Sequence, residues 1–344
     1  MDAEVLVEFT RGPLVEAVHR GHAAVVDSSG RLLAWLGNPD HLCYMRSSAK
    51  PLQALPLLED RLDERFGFTP EELAVMAASH EGEERHVQAV ARILARLGLD
   101  AQALRCGVHP PESEAARRNL LLLGGEPGPL HNNCSGKHAA MLAMARAGGH
   151  PLDSYPHAEH PVQQRIRQVI REMTDVPDPI LGIDGCGVPV FGVPLRAIAL
   201  AYARLIDPRG LPAERARACR RITAAMQEHP GMVSGEGRLE EALMPAARGK
   251  LVAKGGAEGL MAVGVKAEAV PHGRGVGVVL KMEDGTGGER ALSPALLELL
   301  SQLGFLQPEE RAALARHDFA PVRNCLQEIV GESRPAFRVH RAGD

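Results

Sequence analysis

Strand-like segments gather at the two ends of this chain around a long helical middle, and that distribution constrains the fold more than any other feature of the sequence. Residues 4–10 alternate apolar and polar side chains, and residues 22–26 and 31–36 flank Asp27-Ser28-Ser29-Gly30, a hairpin turn. Strands return at 251–254, 260–265 and 276–282. Helical patterns fill 83–97, 112–123, 135–147, 161–173, 194–205 and 212–228, and a last helix over 291–303 follows the glycine-rich turn 284–288. Thr69, Pro70 and Glu72 predict a capped helix start, with that helix ending near Ala78. Residues 47–60 read as helix only if Pro51 lies in the first turn, with a break at Pro56. Strands and helices do not alternate. The reading is therefore α+β: an antiparallel sheet built from N- and C-terminal segments, with a mostly helical lobe inserted. For 344 residues this predicts one unit of two lobes, the sheet in 1–46 and 250–344 and the helices in 47–249.

Charge and composition exclude several function classes. Hydrophobic residues make up 45% and charged residues 24%, the balance of a globular chain, and a net charge of −4 draws it to neither nucleic acid nor anionic lipid. With 3% aromatic residues it has few platforms for stacking bases. The first four residues begin acidic, unlike a signal peptide. The most apolar stretch, 188–205, is cut by Arg196 and Arg204 and carries two prolines. These features predict a soluble, cytoplasmic protein with no membrane and no nucleic-acid partner. In a long cytosolic chain the six cysteines argue against a disulfide framework, and Cys43, Cys106, Cys219 and Cys325 read as small buried residues.

Of 39 basic residues only Lys50, Lys137, Lys250, Lys254, Lys266 and Lys281 are lysine. Arginine keeps its proton and lysine can lose it, so lysine survives where deprotonation matters. A GC-rich coding bias accounts for the ratio, but not for three of the six falling in motifs with serine, cysteine and glycine.

Arg46-Ser47-Ser48-Ala49-Lys50 is the first motif. Three apart on a helix, Ser47 and Lys50 face the same way, while Ser48 points elsewhere. A lysine made neutral by desolvation or a neighbouring cation can take the serine proton and activate it; the alternative is an ordinary surface helix. Ser79-His80-Glu81-Gly82-Glu83 sits between two helices, where Ser79 is either a cap or a catalytic hydroxyl. In Asn132-Asn133-Cys134-Ser135-Gly136-Lys137-His138, Cys134 precedes a helix, whose amides and dipole favour a thiolate. Gly182-Ile183-Asp184-Gly185-Cys186-Gly187 is a glycine-rich turn around an acid and a second thiol. Two such thiols suit zinc, yet two cysteines are not a tetrahedral site, and His131 or His138 would be the orthodox partners. Finally, Lys254-Gly255-Gly256 at a strand end is similar to the Lys-Thr-Gly strand of β-lactamases, or is a plain turn with a solvated lysine.

In this order, from about residue 20 to 285, the five segments resemble the rhizobial-type (class 3, zinc-containing) L-asparaginase family. Arg-Ser-x-x-Lys, Ser-His-x-Gly-Glu, Asn-Cys-Ser-Gly-Lys-His, Asp-Gly-Cys-Gly-x-Pro and Lys-x-Gly-x-Glu-Gly are all present. The resemblance implies a serine β-lactamase/glutaminase-like fold and two serine–lysine pairs, Ser47 with Lys50 and Ser79 with Lys254. It implies a zinc held by Cys134, Lys137, Cys186 and water, with His138 and Asp184 facing the substrate, and a homodimer. On that basis L-asparagine is the expected substrate, and charge alone places Arg46 on its carboxylate and Asp184 on its ammonium. Two alternatives remain, a β-lactamase-like amide or ester hydrolase and a zinc- or thiol-based sensor. The tail after about residue 305 carries no assignable motif.

Overall fold

The computed structural model describes residues 2–343. The chain forms two compact units, one of Met1–Cys43, Pro194–Asp207 and Ala242–Asp344, the other of Tyr44–Val193 and Pro208–Glu241. The strands are β1 (Glu4–Arg11), β2 (Leu14–Asp27), β3 (Leu32–Leu36), β4 (Leu42–Tyr44), β5 (Ile180–Ile183), β6 (Pro189–Pro194), β7 (Leu251–Gly256), β8 (Leu260–Val265), β9 (Val276–Met282), β10 (Pro321–Arg323), β11 (Ile329–Pro335) and β12 (His340–Arg341).

The first unit is built on an antiparallel sheet of order β10-β11-β1-β2-β9-β8-β7, with β3 on β2 and β12 on β3. The N-terminal and C-terminal segments share this sheet, as the strand distribution predicts. β2 starts well before the expected strand. Its exposed first half pairs with β1, and its buried second half lies between β9 and β3. The helix Leu195–Ile206, apolar on nearly every side, packs on β2, β8 and β9. It belongs to the sheet unit, not to the helical lobe into which its position in the chain had placed it. Glycine permits that approach: a Cβ at Gly277 would stand 1.8 Å from Ala199 O. The tail, unreadable in sequence, supplies β10, β11 and β12, with Glu8 of β1 opposite Arg334 of β11.

In the second unit the segment expected as one helix over 47–60 is a 3₁₀ turn, Arg46–Ala49, and two short helices, Lys50–Gln53 and Leu55–Glu59. Each proline occupies a first turn, where its missing N–H costs no bond. Thr69 and Glu72 form the expected capping box, but the helix Pro70–Met76 stops short of Ala78. The helix Ser135–Ala147 is buried along most of its length. It lies so close to Pro70–Met76 that a Cβ at Gly136 would reach within 2.1 Å of Val75 O. The β5–β6 hairpin was not foreseen; it holds the turn containing Asp184 and Cys186.

Among the described residues no helix is long and apolar enough to cross a membrane. All six cysteines are free. Cys106 and Cys219 are buried as expected, whereas Cys43 is half-buried and Cys325 is exposed.

Candidate active site

The second unit gathers all but one of the sequence-predicted site residues. Met45 N–H donates to Phe191 O over 2.9 Å, tying the start of the segment to β6. Arg46 then takes a left-handed backbone, φ +47°, which costs an L side chain roughly 1–2 kcal/mol. Such strain next to a reactive side chain is a common mark of functional sites. Arg46 Nε donates to Asp184 Oδ1 over 3.0 Å. The two residues that charge alone assigned to opposite ends of a substrate are therefore paired with each other.

Ser47 is half-buried, and its hydroxyl makes no hydrogen bond among the described residues. Ser48 turns inward and donates to Met45 O, as its position predicts. Lys50 is fully buried. Its ammonium donates to Ser79 Oγ over 2.9 Å and to Asn133 O over 3.2 Å. The hydroxyl bonded to Lys50 is thus that of Ser79; the link to Ser47 is the backbone bond from Lys50 N–H to Ser47 O.

Ser79 does not cap a helix. Its N–H donates to Val233 O and the Glu81 N–H to Ser234 O, so residues 79–81 run against 233–234 like a strand pair. His80 is buried, accepts from Gly82 N–H at Nδ1 and meets Ser135 Oγ at Nε2 over 2.8 Å. Ser135 Oγ donates onward to Leu130 O, so Nε2 carries the His80 proton. Burial first, then the charges of His86 and Lys50, hold this imidazole neutral.

Cys134, Lys137 and Cys186 meet in the interior. Asn132 Oδ1 accepts the Cys134 N–H at the start of the helix Ser135–Ala147. The hydrogen bond from Cys186 comes first among the causes that hold the Cys134 thiol well below its ordinary range; Lys50 and Lys137 assist. When that thiol is neutral, its S–H donates to Asn133 Oδ1, 3.1 Å away. Cys186 is pushed up by the same pairing and by burial. Lys137 Nζ donates to Cys186 Sγ over 3.2 Å and lies 3.9 Å from Asp184 Oδ2. Burial opposes its charge, but Cys134, Cys186 and Asp184 prevail and raise its pKa. Burial also opposes ionisation of Asp184, and Lys137, the Gly185 N–H and Arg46 overcome it.

Among the described residues no three His, Cys, Asp or Glu side chains are grouped to hold a metal. A metal at the two thiols therefore needs a third donor of another kind, and Lys137 is in contact with one of them. Two soft thiolates with one amine suit zinc, provided the lysine gives up its proton.

His138 is fully buried, with Nδ1 2.6 Å from Tyr155 Oη and Nε2 without a partner among the described residues. Sequence reasoning missed Tyr155, which lies in an irregular segment; its one signal is that the chain has only three tyrosines. It also gave no role to Asn133, whose carbonyl accepts from both Lys50 Nζ and His80 N–H. Lys254 lies in the other unit, buried on β7, where Nζ donates to Gly255 O over 2.9 Å.

The family model for L-asparaginase II matches residues 7–335. A search of curated proteins finds no match. Solved structures with some likeness include the Bacillus subtilis glutaminase YbgJ in covalent complex with 5-oxo-L-norleucine. It is 14% identical, covering 79% of this chain and 83% of that one, with a TM-score of 0.35. Mglu in its glutamate form is 15% identical over 85% of this chain and 63% of that one, TM-score 0.36. L2 complexed with relebactam is 16% identical over 87% and 88%, TM-score 0.33.

Proposed function

This chain belongs to the L-asparaginase II family and is an amidohydrolase, and from that premise we propose that it hydrolyses the side-chain amide of L-asparagine to L-aspartate and ammonia. The observation that carries the reading is the buried ammonium of Lys50, held between Ser79 Oγ and Asn133 O and three residues from Ser47.

In this mechanism Lys50 reacts as the neutral amine, its extra proton released to solvent before attack; Ser47 Oγ then adds to the amide carbon and Lys50 Nζ takes the serine proton. Backbone amides near Ser47 steady the oxyanion. The tetrahedral intermediate collapses as Lys50 returns a proton to the leaving nitrogen, which departs as ammonia. Water then cleaves the aspartyl ester and regenerates Ser47. Ser79 holds the Lys50 ammonium in place between these steps. Lys254 is assigned to the same chemistry by the family resemblance alone. Arg46 and Asp184 supply one charge of each sign, matching a zwitterionic amino acid once their own pair opens.

Cys134, Lys137 and Cys186 would hold a zinc ion. When bound, it would keep both thiols ionised and add positive charge beside Asp184. The family resemblance also proposes a homodimer, which light scattering of the purified protein tests.

The test of function is ammonia release from L-asparagine, with L-glutamine in parallel. Ammonia from asparagine supports the reading. No ammonia from either amide, with the protein folded and zinc supplied, overturns it, and hydrolysis of nitrocefin in its place would point to a β-lactam-type substrate.

A further inference from the structure

We propose that Tyr155 is a positioning residue that fixes the tautomer of His138, making the imidazole a hydrogen-bond donor at Nε2 and barring it from metal ligation there. The inference deepens the reading above, in which His138 faces the substrate, and it explains why a lysine stands third in the zinc set although a histidine is adjacent to it.

A phenol has one proton to give and two lone pairs. At Tyr155 one lone pair is filled, because the Arg105 backbone N–H, which can only donate, lies 2.8 Å from Oη. The other close neighbour is His138 Nδ1 at 2.6 Å, and the Tyr155 side chain is completely buried. Two proton arrangements compete. If Nδ1–H donates to Oη, both lone pairs of the phenol are filled and its own O–H is left without an acceptor in a dry interior. His138 Nε2 is also unpartnered among the described residues, so that arrangement leaves two buried polar groups open. An imidazolium carries the same Nδ1–H and leaves the same two. If the phenol donates to Nδ1, every group in the chain from Arg105 to His138 is matched and only Nε2–H stays open. Buried polar groups without partners are costly, so the second arrangement prevails. Burial pushes the phenol's pKa up and keeps its proton in place for donation.

The ring is held in orientation as well as in protonation. Tyr155 and His138 meet edge to face, centroids 5.4 Å apart at 76°. The Tyr155 carbonyl accepts from Gln163 Nε2, which fastens an otherwise irregular segment to the helix Pro161–Thr174. Burial first, then the charges of Lys137 and Lys50, lower the pKa of His138, and Lys137 precedes it directly on the helix Ser135–Ala147. With Nδ1 filled by the phenol and Nε2 protonated, the imidazole has no lone pair for a metal. What it offers is an N–H, suited to a carbonyl or carboxylate oxygen of an amino-acid substrate.

The experiment is a long-range ¹H–¹⁵N correlation spectrum of histidine-labelled, zinc-loaded protein, with His138 assigned by its loss in His138→Asn. The expected result is an unprotonated Nδ1 and a protonated Nε2 in the wild-type protein, giving way to mixed tautomers in Tyr155→Phe. Finding Nδ1 protonated in the wild-type protein overturns the proposal, whatever the fate of the variant. In turnover, Tyr155→Phe is expected to lower kcat about tenfold, the loss of one oriented donor, with zinc content unchanged. A tautomer or kcat unmoved by Tyr155→Phe overturns it too. Because the spectrum needs no turnover, failure of the asparaginase reading would show as absent ammonia with the tautomer intact.

Discussion

Lys50 Nζ donates to Ser79 Oγ over 2.9 Å, joining two residues 29 positions apart, while Ser47, only three positions away, gives Lys50 its backbone carbonyl. The side chain of Lys50 thus bonds one serine and its backbone the other. With Ser47 as nucleophile, Ser47→Ala abolishes ammonia release and Ser79→Ala lowers kcat by about 10²-fold, the scale of a lost proton-transfer partner. Lys50→Arg does not rescue, because arginine keeps its proton. Acid-quenched protein analysed by peptide mass spectrometry locates the aspartyl ester, and an ester on the Ser79 peptide would reverse the two roles.

The metal set makes its own forecast. Purified protein should carry about one zinc per chain, the number that one set of three donors holds. Lys137→Met and Cys186→Ser should each lose it, as read by elemental analysis. Lys137→Arg should lose it as well, since a guanidinium keeps the positive charge but cannot offer a lone pair. Full zinc in Lys137→Arg would remove the lysine from the donor set.

His80 gives a pH dependence of known sign. Burial first, then His86 and Lys50, place its pKa well below that of a free imidazole, and burial foremost lowers His86 too. Below about pH 6.5 the unfolded chain binds these protons and the folded chain does not. Their contribution to stability is complete above that pH and is lost as pH falls, by up to about 1.4 kcal/mol per pH unit for each proton. Urea unfolding at about pH 7.5 and pH 5.5 measures the fall. His80→Gln should be less stable at the higher pH and lose less between the two; an equal loss in both proteins would show that His80 does not contribute.

Gly277 tests the packing of the sheet unit. A Cβ there meets Ala199 O at 1.8 Å and Ala199 C at 2.6 Å, backbone atoms that cannot swing aside. Gly277→Ala should destabilise by about 3 kcal/mol or more. At Gly30, with φ +92° and nothing within 4 Å of the added carbon, alanine should cost only about 1–2 kcal/mol of backbone strain. Equal losses at the two positions would mean that the helix moves away from β9.

The parts of the fold that were legible were those where local pattern and burial agree. β8, β9 and the helix Ser135–Ala147 occupy the residues expected of them, because each is a clean apolar run bounded by a turn signal or a cap. The tail strands were illegible because their exposed, polar residues carry no alternation, and only pairing with β1 and β3 makes them strands. β5 and β6 hid behind prolines and glycines that read as a turn. In the site, the motifs named residues that the second unit gathers, Lys254 excepted, but helical spacing could suggest only a local partner for Lys50. Its bond to Ser79, the meeting of Cys134 with Cys186, and the Arg46–Asp184 pair are long-range contacts that no spacing rule reaches.

The sheet has a consequence for how the chain emerges from the ribosome. β2 is made long before β9, yet its buried half needs β9, and β1 likewise needs β11. At roughly 5–20 residues per second, those partners follow after some 10–60 s. During that interval Ala23, Ala24, Val25 and Val26, buried in the finished protein, have β3 on one side and no β9 on the other. The helices of the second unit are largely synthesised meanwhile. Nascent chains halted before residue 276 should therefore hold a folded helical unit and a sticky N-terminal strand, a stage at which chaperones decide the yield.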